Sequence, residues 1–225
     1  MAEYKLCEIA PNAWGKVKER DILYFGAYPK ETGGEPLPIG WEVLRKEDGK
    51  FLLLSTMGLD VMQYDSRDVR LAELMGEEVE PITWENCELR AWLKGEFWRV
   101  AFCDEERCLI APTVTDGEAV DRVSLLSWKD ANAYVTMPYR GLRKSAPLTD
   151  LADGKIRSEH SMEIRMCWRW DRGWWLRTMS NKEMADCVVY DWALESIKDN
   201  YCSDHQAVRP ALWLDPKGGH STDAD

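Results

Sequence analysis

No two of the seven cysteines in this 225-residue chain stand in a Cys-x-x-Cys pair. The odd number and the spacing argue against a disulfide framework and against a paired-cysteine zinc site, and leave reduced, mostly buried thiols as the expected state. Also lacking is any apolar run near the roughly 20 residues that span a bilayer. The opening residues, Met1-Ala2-Glu3-Tyr4-Lys5-Leu6-Cys7, have neither the charged start nor the apolar stretch of a signal peptide. The chain is therefore expected to stay in the cytoplasm, with a phage or secreted context as the alternative. Basic residues are outnumbered, giving a net charge of -11, and they are scattered rather than gathered into a stripe. That pattern disfavours nucleic acid and anionic membranes as partners. No loop repeats the alternating acidic pattern with a central Gly that marks a calcium loop. Asp186, Asp191, Asp199 and Asp204 are accordingly read as solvated acids, Asp60 and Asp65 carry still less weight as ligands, and neither a metal nor a cofactor is expected.

What the chain has in plenty is core material. Apolar residues make up 45%, and 12 are Trp, each able to bury on the order of 150–250 Å². With no internal repeat and no low-complexity linker, this suits a single domain over residues 1–216 and a flexible polar tail over 217–225. Trp41, Trp84, Trp92 and Trp98 are expected in the core. Trp168, Trp170 and Trp192 stand among charged residues and compete for surface roles.

Local signals suggest an α+β order. Asp21–Tyr28 reads as a strand; Ile39–Leu44 and Phe51–Ser55 read as a hairpin closed by Asp48-Gly49. Gln63–Glu80 is polar and acidic. Thr83 is placed as the N-cap of a helix carrying Trp84, Leu89, Trp92 and Leu93 and ending at Gly95. Asp104 is placed as the cap of a second helix with Glu105 and Glu106 in its first turn. A strand over Arg122–Leu126 precedes Ser127 and Asp130, which form a capping box for a third helix. Met137–Ser161 has no period and reads as a long connection. Trp174–Arg177, Cys187–Tyr190 and Ala211–Leu214 are the strand candidates of the C-terminal part.

Two aromatic-basic blocks stand out there, Gly173-Trp-Trp-Leu-Arg177 and Ala207-Val-Arg-Pro-Ala-Leu-Trp-Leu214, with an insert between them of no simple period. Arg177 and Arg209 each interrupt an apolar stretch, where an unpaired guanidinium is costly. Each is expected to hold a buried carboxylate or backbone carbonyls, an anionic-ligand clamp being the functional alternative.

Seven phrases occur in one order: Asp21–Pro29, Ile39–Leu44, Thr83–Leu93, Glu96–Glu106, Val123–Ser127, Gly173–Arg177 and Val208–Trp213. In this the chain resembles a bacterial domain family of unknown function, over most of its length. That family looks like a relative of the C-type-lectin-like domains, including those of formylglycine-generating-enzyme type. The resemblance implies a C-type-lectin-like α+β fold in which N- and C-terminal strands come together and the C-terminal segment displays a ligand-binding face. Some proteins of this kind are variable proteins of diversity-generating retroelements, which mutate adenines near the 3′ end of a gene. Asn200-Tyr-Cys-Ser-Asp-His205 lies directly before the second block, and each of its residue types is reachable from an Asn codon by changing adenines alone.

The sequence reading is therefore a non-enzymatic ligand-binding domain, its partner a protein or other macromolecule. The contact residues expected are Ser180, Asn181, Tyr190, Trp192, Asp199, Asn200, Tyr201, Ser203, Asp204 and His205, since Tyr, Ser, Asn and Trp make an adaptable surface. The alternative is an enzyme or small-molecule binder with a cleft near Cys202 and His205, three residues apart, where a Cys–His pair would form an activated nucleophile.

Overall fold

The computed structural model describes residues 1–10, 12–115, 119–134, 147–159, 173–191 and 194–218. It is an α+β arrangement dominated by sheet, with few, short helices. Strands β1 (Glu3–Lys5), β2 (Ile22–Pro29), β3 (Pro36–Glu47) and β4 (Lys50–Ser55) open the fold. β3 and β4 form the expected hairpin: Glu47 pairs with Lys50, and the two residues between them, Asp48 and Gly49, have φ of 49° and 81°. Positive φ at both central positions is what a two-residue turn needs to match strand twist. β5 (Asp60–Gln63) leaves this sheet for a second one.

The polar stretch after it contains a helix the sequence reading did not place, α1 (Val69–Leu74), whose N-cap Asp68 accepts from Leu71 N–H at 2.9 Å. The helix expected at Thr83 starts later. Thr83 Oγ1 accepts from Asn86 N–H in a preceding turn, while α2 (Glu88–Trp92) is capped by Cys87. Nor does Gly95 end it: a π-helical turn, Leu93–Phe97, carries the chain into α3 (Trp98–Ala101). The reason is packing. Leu89, Leu93, Phe97 and Ala101 recur every four residues and all are buried. A wide π turn helps keep such a spacing on one face, and this burial outweighs roughly 1 kcal/mol of glycine propensity. α4 (Asp104–Arg107) begins one residue earlier than Asp104 as its cap would require. Cys103 holds the cap position, and its N–H donates to Glu106.

Short strands β6 (Ile110–Ala111), β7 (Thr113–Val114), β8 (Val120–Asp121) and β9 (Val123–Ser124) follow. α5 (Trp128–Tyr134) then starts from the expected box, with Ser127 and Asp130 bonded reciprocally at 3.1 Å in both directions. Inside the expected long connection lies α6 (Asp150–Glu159), begun by Thr149, whose Oγ1 accepts from Ala152 N–H. Residues 137–146 and 160–161 of that connection are outside the described residues. β10 (Trp174–Met179), β11 (Met184–Asp191), β12 (Leu194–Tyr201), β13 (His205–Val208) and β14 (Ala211–Leu214) complete the chain. Of the expected tail, Lys217 and Gly218 turn back onto Asp215; residues 219–225 lie outside the described residues.

One sheet has the order β1-β2-β3-β4-β14-β6 with β9 also on β14, a second has β12-β11-β10-β13-β5, and β7 and β8 form a small two-stranded sheet. N- and C-terminal strands thus share a sheet, β14 lying antiparallel beside β4. Side-chain alternation sorts residues into two cores. Leu53, Trp175, Cys187 and Val189 enter one; Leu52, Leu54, Trp174, Leu176 and Val188 enter the other. Strands buried on both faces read as unbroken apolar runs rather than alternating ones, hence Phe51-Leu-Leu-Leu54 and Trp174-Trp-Leu176.

The chain changes sheets at Arg209-Pro210, between β13 and β14. The Arg209 guanidinium is buried, donates from Nε to the Ser55 carbonyl at 2.6 Å and lies 5.1 Å over the Trp174 ring. Its Nη1 has no hydrogen-bond partner among the described residues. Desolvation pushes its pKa down to about 10 against the attraction of Glu42. Arg177 donates from Nη1 to Leu125 O at 2.7 Å and pairs with Asp130 at 3.3 Å. Both arginines therefore hold backbone carbonyls, and the two blocks meet where Trp174 pairs with Ala207.

Candidate functional site

The insert between the blocks is regular rather than loop-like. β11 and β12 pair over eight consecutive positions, from Met184 opposite Tyr201 to Asp191 opposite Leu194. The expected strand Cys187–Tyr190 is the centre of β11, whereas β12, Leu194-Glu-Ser-Ile-Lys-Asp-Asn-Tyr201, has its apolar residues three and four apart, so period-2 alternation did not reveal it.

The hairpin gathers most of the expected contact residues at its Met184–Tyr201 end. Ser180 N–H donates to Met184 O, and Cys202 N–H donates to Glu183 O. Cys202 O in turn accepts from Asp65 N–H, and Ser203 O from the Gln63 side chain at 2.5 Å. Ser180, Asn181, Asp199 and Tyr201 are exposed there; Asn200, Ser203, Asp204 and His205 are half-buried. Tyr190 is not at this end. It lies opposite Glu195, six register steps from Met184, or roughly 20 Å at about 3.4 Å per residue. Trp192 lies outside the described residues, as do Trp168 and Trp170.

Three of the polar side chains are engaged locally. Asn181 Oδ1 accepts from the N–H groups of Glu183 and Met184 and so holds the β10–β11 turn. Asn200 Oδ1 accepts from Tyr201 N–H. Ser180 donates to Asp186 at 2.5 Å. Asp186 stands directly across from Asp199, and burial together with that like charge raises its pKa despite the Ser180 bond.

Residues the sequence reading missed complete the surface. α1 sits beside this end: Arg70 reaches the Tyr201 hydroxyl at 3.5 Å, and Glu73 pairs with Lys182. Leu71, Leu74 and Met75 project from α1 at 53%, 77% and 68% exposure, against 39% for Tyr201. Their i, i+3, i+4 spacing was the available signal. Such a stripe ordinarily faces a core, and here the fold leaves it in solvent, followed in sequence by exposed Glu77, Glu78 and Glu80.

The Cys202–His205 pair is built differently from an activated nucleophile. Cys202 is 1% exposed, and burial foremost pushes its thiol up to about 12, so it is protonated at neutral pH. Cys87 and Cys187 are buried and raised in the same way; Cys7, Cys103 and Cys108 are exposed, and all six described cysteines are free. The buried carboxylates serve the fold. Asp65 is desolvated, yet its bidentate contact with Arg67 and its backbone bonds leave its pKa lowered. Asp60 accepts from Tyr28 at 2.6 Å and Lys155 at 2.5 Å. Among the described residues no three His, Cys, Asp or Glu side chains converge on a point that could hold an ion, and no helix is long and apolar enough to cross a membrane.

The profile of a domain family of unknown function, DUF6273, matches residues 48–216. The chain belongs to that family. No curated protein and no solved structure matches it. The match starts within the β3–β4 turn, so the DUF6273 span takes in both aromatic-basic blocks, the whole second sheet and the α1 surface. It omits β1, β2 and β3, which continue the sheet of β4 and β14.

Proposed function

We propose that this DUF6273 protein is a non-enzymatic binding domain of C-type-lectin-like type, and that its contact surface is the Met184–Tyr201 end of β11–β12 together with α1. The observation that carries this reading is the exposed apolar stripe Leu71, Leu74 and Met75 beside Tyr201. Contiguous apolar surface rimmed by polar residues marks interaction sites, and large side chains in solvent otherwise work against solubility. The ligand is a protein with an apolar anchor and basic side chains, matched to exposed Asp199 on the hairpin and to exposed Glu77, Glu78 and Glu80 that follow the stripe in sequence. The sharing of one sheet by N- and C-terminal strands supports the lectin-like reading, and Asn200–His205, next to the rigid β13–β14 crossing, suits a diversified segment on a fixed support.

The retroelement part is tested in DNA. The reading expects a template repeat near the gene that differs from the codons of residues 178–206 at adenines, accompanied by a reverse transcriptase gene. A gene neighbourhood with neither overturns it. The binding part is tested separately: Leu71→Ser, Leu74→Ser and Tyr201→Ser together are expected to lower retention on an apolar matrix and leave the unfolding temperature unchanged. Loss of cooperative unfolding would make these residues core and contradict the proposal.

A further inference from the structure

A concave feature elsewhere on the molecule shares no residue with the α1–hairpin surface. A groove of about 810 Å³ runs between β2 and the α3–α4 segment, within the size range of small-molecule sites. Its walls are apolar: Phe25, Ala27, Pro38, Val100 and Phe102 line it, with Lys5 and Lys30 among the lining residues. The floor is fixed. Phe25 stacks on Trp41 at 5.4 Å, and Phe102 lies 6.1 Å from the same ring. A bulge at Gly26, with φ of 62°, brings β2 against α3 so closely that a Cβ there would stand 2.8 Å from Ala101 O and the Phe102 ring.

The charges are unequal in their engagement. Glu106 is occupied on both oxygens by backbone, accepting from Gly26 N–H at 2.7 Å and Cys103 N–H at 3.1 Å. Lys5 shares its charge with Glu8 at 3.1 Å on the open surface. Lys30 is half-buried, and no carboxylate among the described residues lies within ion-pair distance of it, although the chain carries a net charge of -11. A cation without an anion among the described residues, beside an apolar groove, is matched by a ligand with one negative charge and an apolar body.

We propose that this groove binds a small amphipathic monocarboxylate, its carboxylate on Lys30 and its hydrocarbon chain along Phe25, Val100 and Phe102. A single lysine provides one full charge, which suits a carboxylate better than a doubly charged phosphate ester. Calorimetric titration of the full chain with decanoate and with decan-1-ol, both below their aggregation limits, tests this. Decanoate is expected to bind about tenfold tighter than the alcohol. Lys30→Gln is expected to abolish that preference while leaving the alcohol affinity unchanged. Val100→Trp, at a position 42% exposed and so tolerant of bulk, is expected to weaken both ligands with no change in unfolding temperature. Saturable binding of neither ligand, equal affinity for the two, a preference that survives Lys30→Gln, or full affinity in Val100→Trp would each overturn the proposal.

Discussion

β13–β14 and β11–β12 are neighbouring strand pairs of the same C-terminal region, and they differ in almost every physical respect. From Gln206 to Leu212 every residue is buried, including the charged Arg209, and the pair ties the two sheets together. In β12, Asp199 and Tyr201 are exposed, Ile197, Lys198 and Asn200 are half-buried, and the strand pairs on one side only among the described residues. Both are regular sheet, so regularity is no guide to role. What separates them is how much each position loses if changed. A residue packed on two sides is constrained by volume and charge, whereas an edge residue is constrained by little more than its backbone pairing.

The largest effect should come from dividing the support. A fragment of residues 48–216 retains the DUF6273 match but removes β1–β3, leaving β4 paired with β14 alone and stripping cover from Phe51 and Leu53. It is expected to be insoluble or to lack dispersed amide signals, and a folded fragment would show that the support begins at β4. Next, Arg209→Ala is expected to cost about 3 kcal/mol, since it opens a cavity under Trp174 and leaves Ser55 O without its donor. Arg209→Met should cost less, because it keeps the volume and removes a charge whose Nη1 is unsatisfied. Thermal unfolding reads both. An Arg209→Ala domain of unchanged stability that loses an anionic ligand would instead favour the clamp.

The smallest effect concerns the Asp186–Asp199 pair. Because the folded carboxyl of Asp186 is raised above its unfolded pKa, the proton binds the folded state more tightly. Folding is then favoured below the unfolded value, and that advantage is lost as pH rises through the folded one. Asp186→Asn should therefore stabilise the domain at pH 7 by about 0.5 kcal/mol, a modest figure because the pair is partly exposed, and by nothing measurable at pH 3. A destabilised variant at pH 7 would mean that the Ser180 bond outweighs the repulsion.

Much of the support was legible in the chain. Asp48-Gly49 demands a tight turn, Ser127 and Asp130 demand a helix start, and Trp174-Trp-Leu176 is apolar enough to be buried on both faces. What escaped was decided by tertiary packing. Gly95 looks like a helix terminator until Leu93 and Phe97 are seen to be buried on either side of it. α1 and α6 were hidden because acidic residues and short length mask helical period, and their caps, Asp68 and Thr149, sit in stretches that otherwise read as loop. Ser180, Asn181, Asp199 and Tyr201 could be named as candidates from residue type alone. That Tyr190 lies some 20 Å away, and that Leu71, Leu74 and Met75 face solvent, depends on the register of β11–β12 and on what α1 packs against.

The division between support and display surface is tested most directly by one measurement: thermal unfolding of a variant with the exposed Leu71, Leu74, Ser180, Asp199 and Tyr201 all replaced. The account predicts a single cooperative transition within a few degrees of the parent, since exposed positions each contribute within about 0.5 kcal/mol. A broad or absent transition would contradict it and place this end of the hairpin in the fold's support.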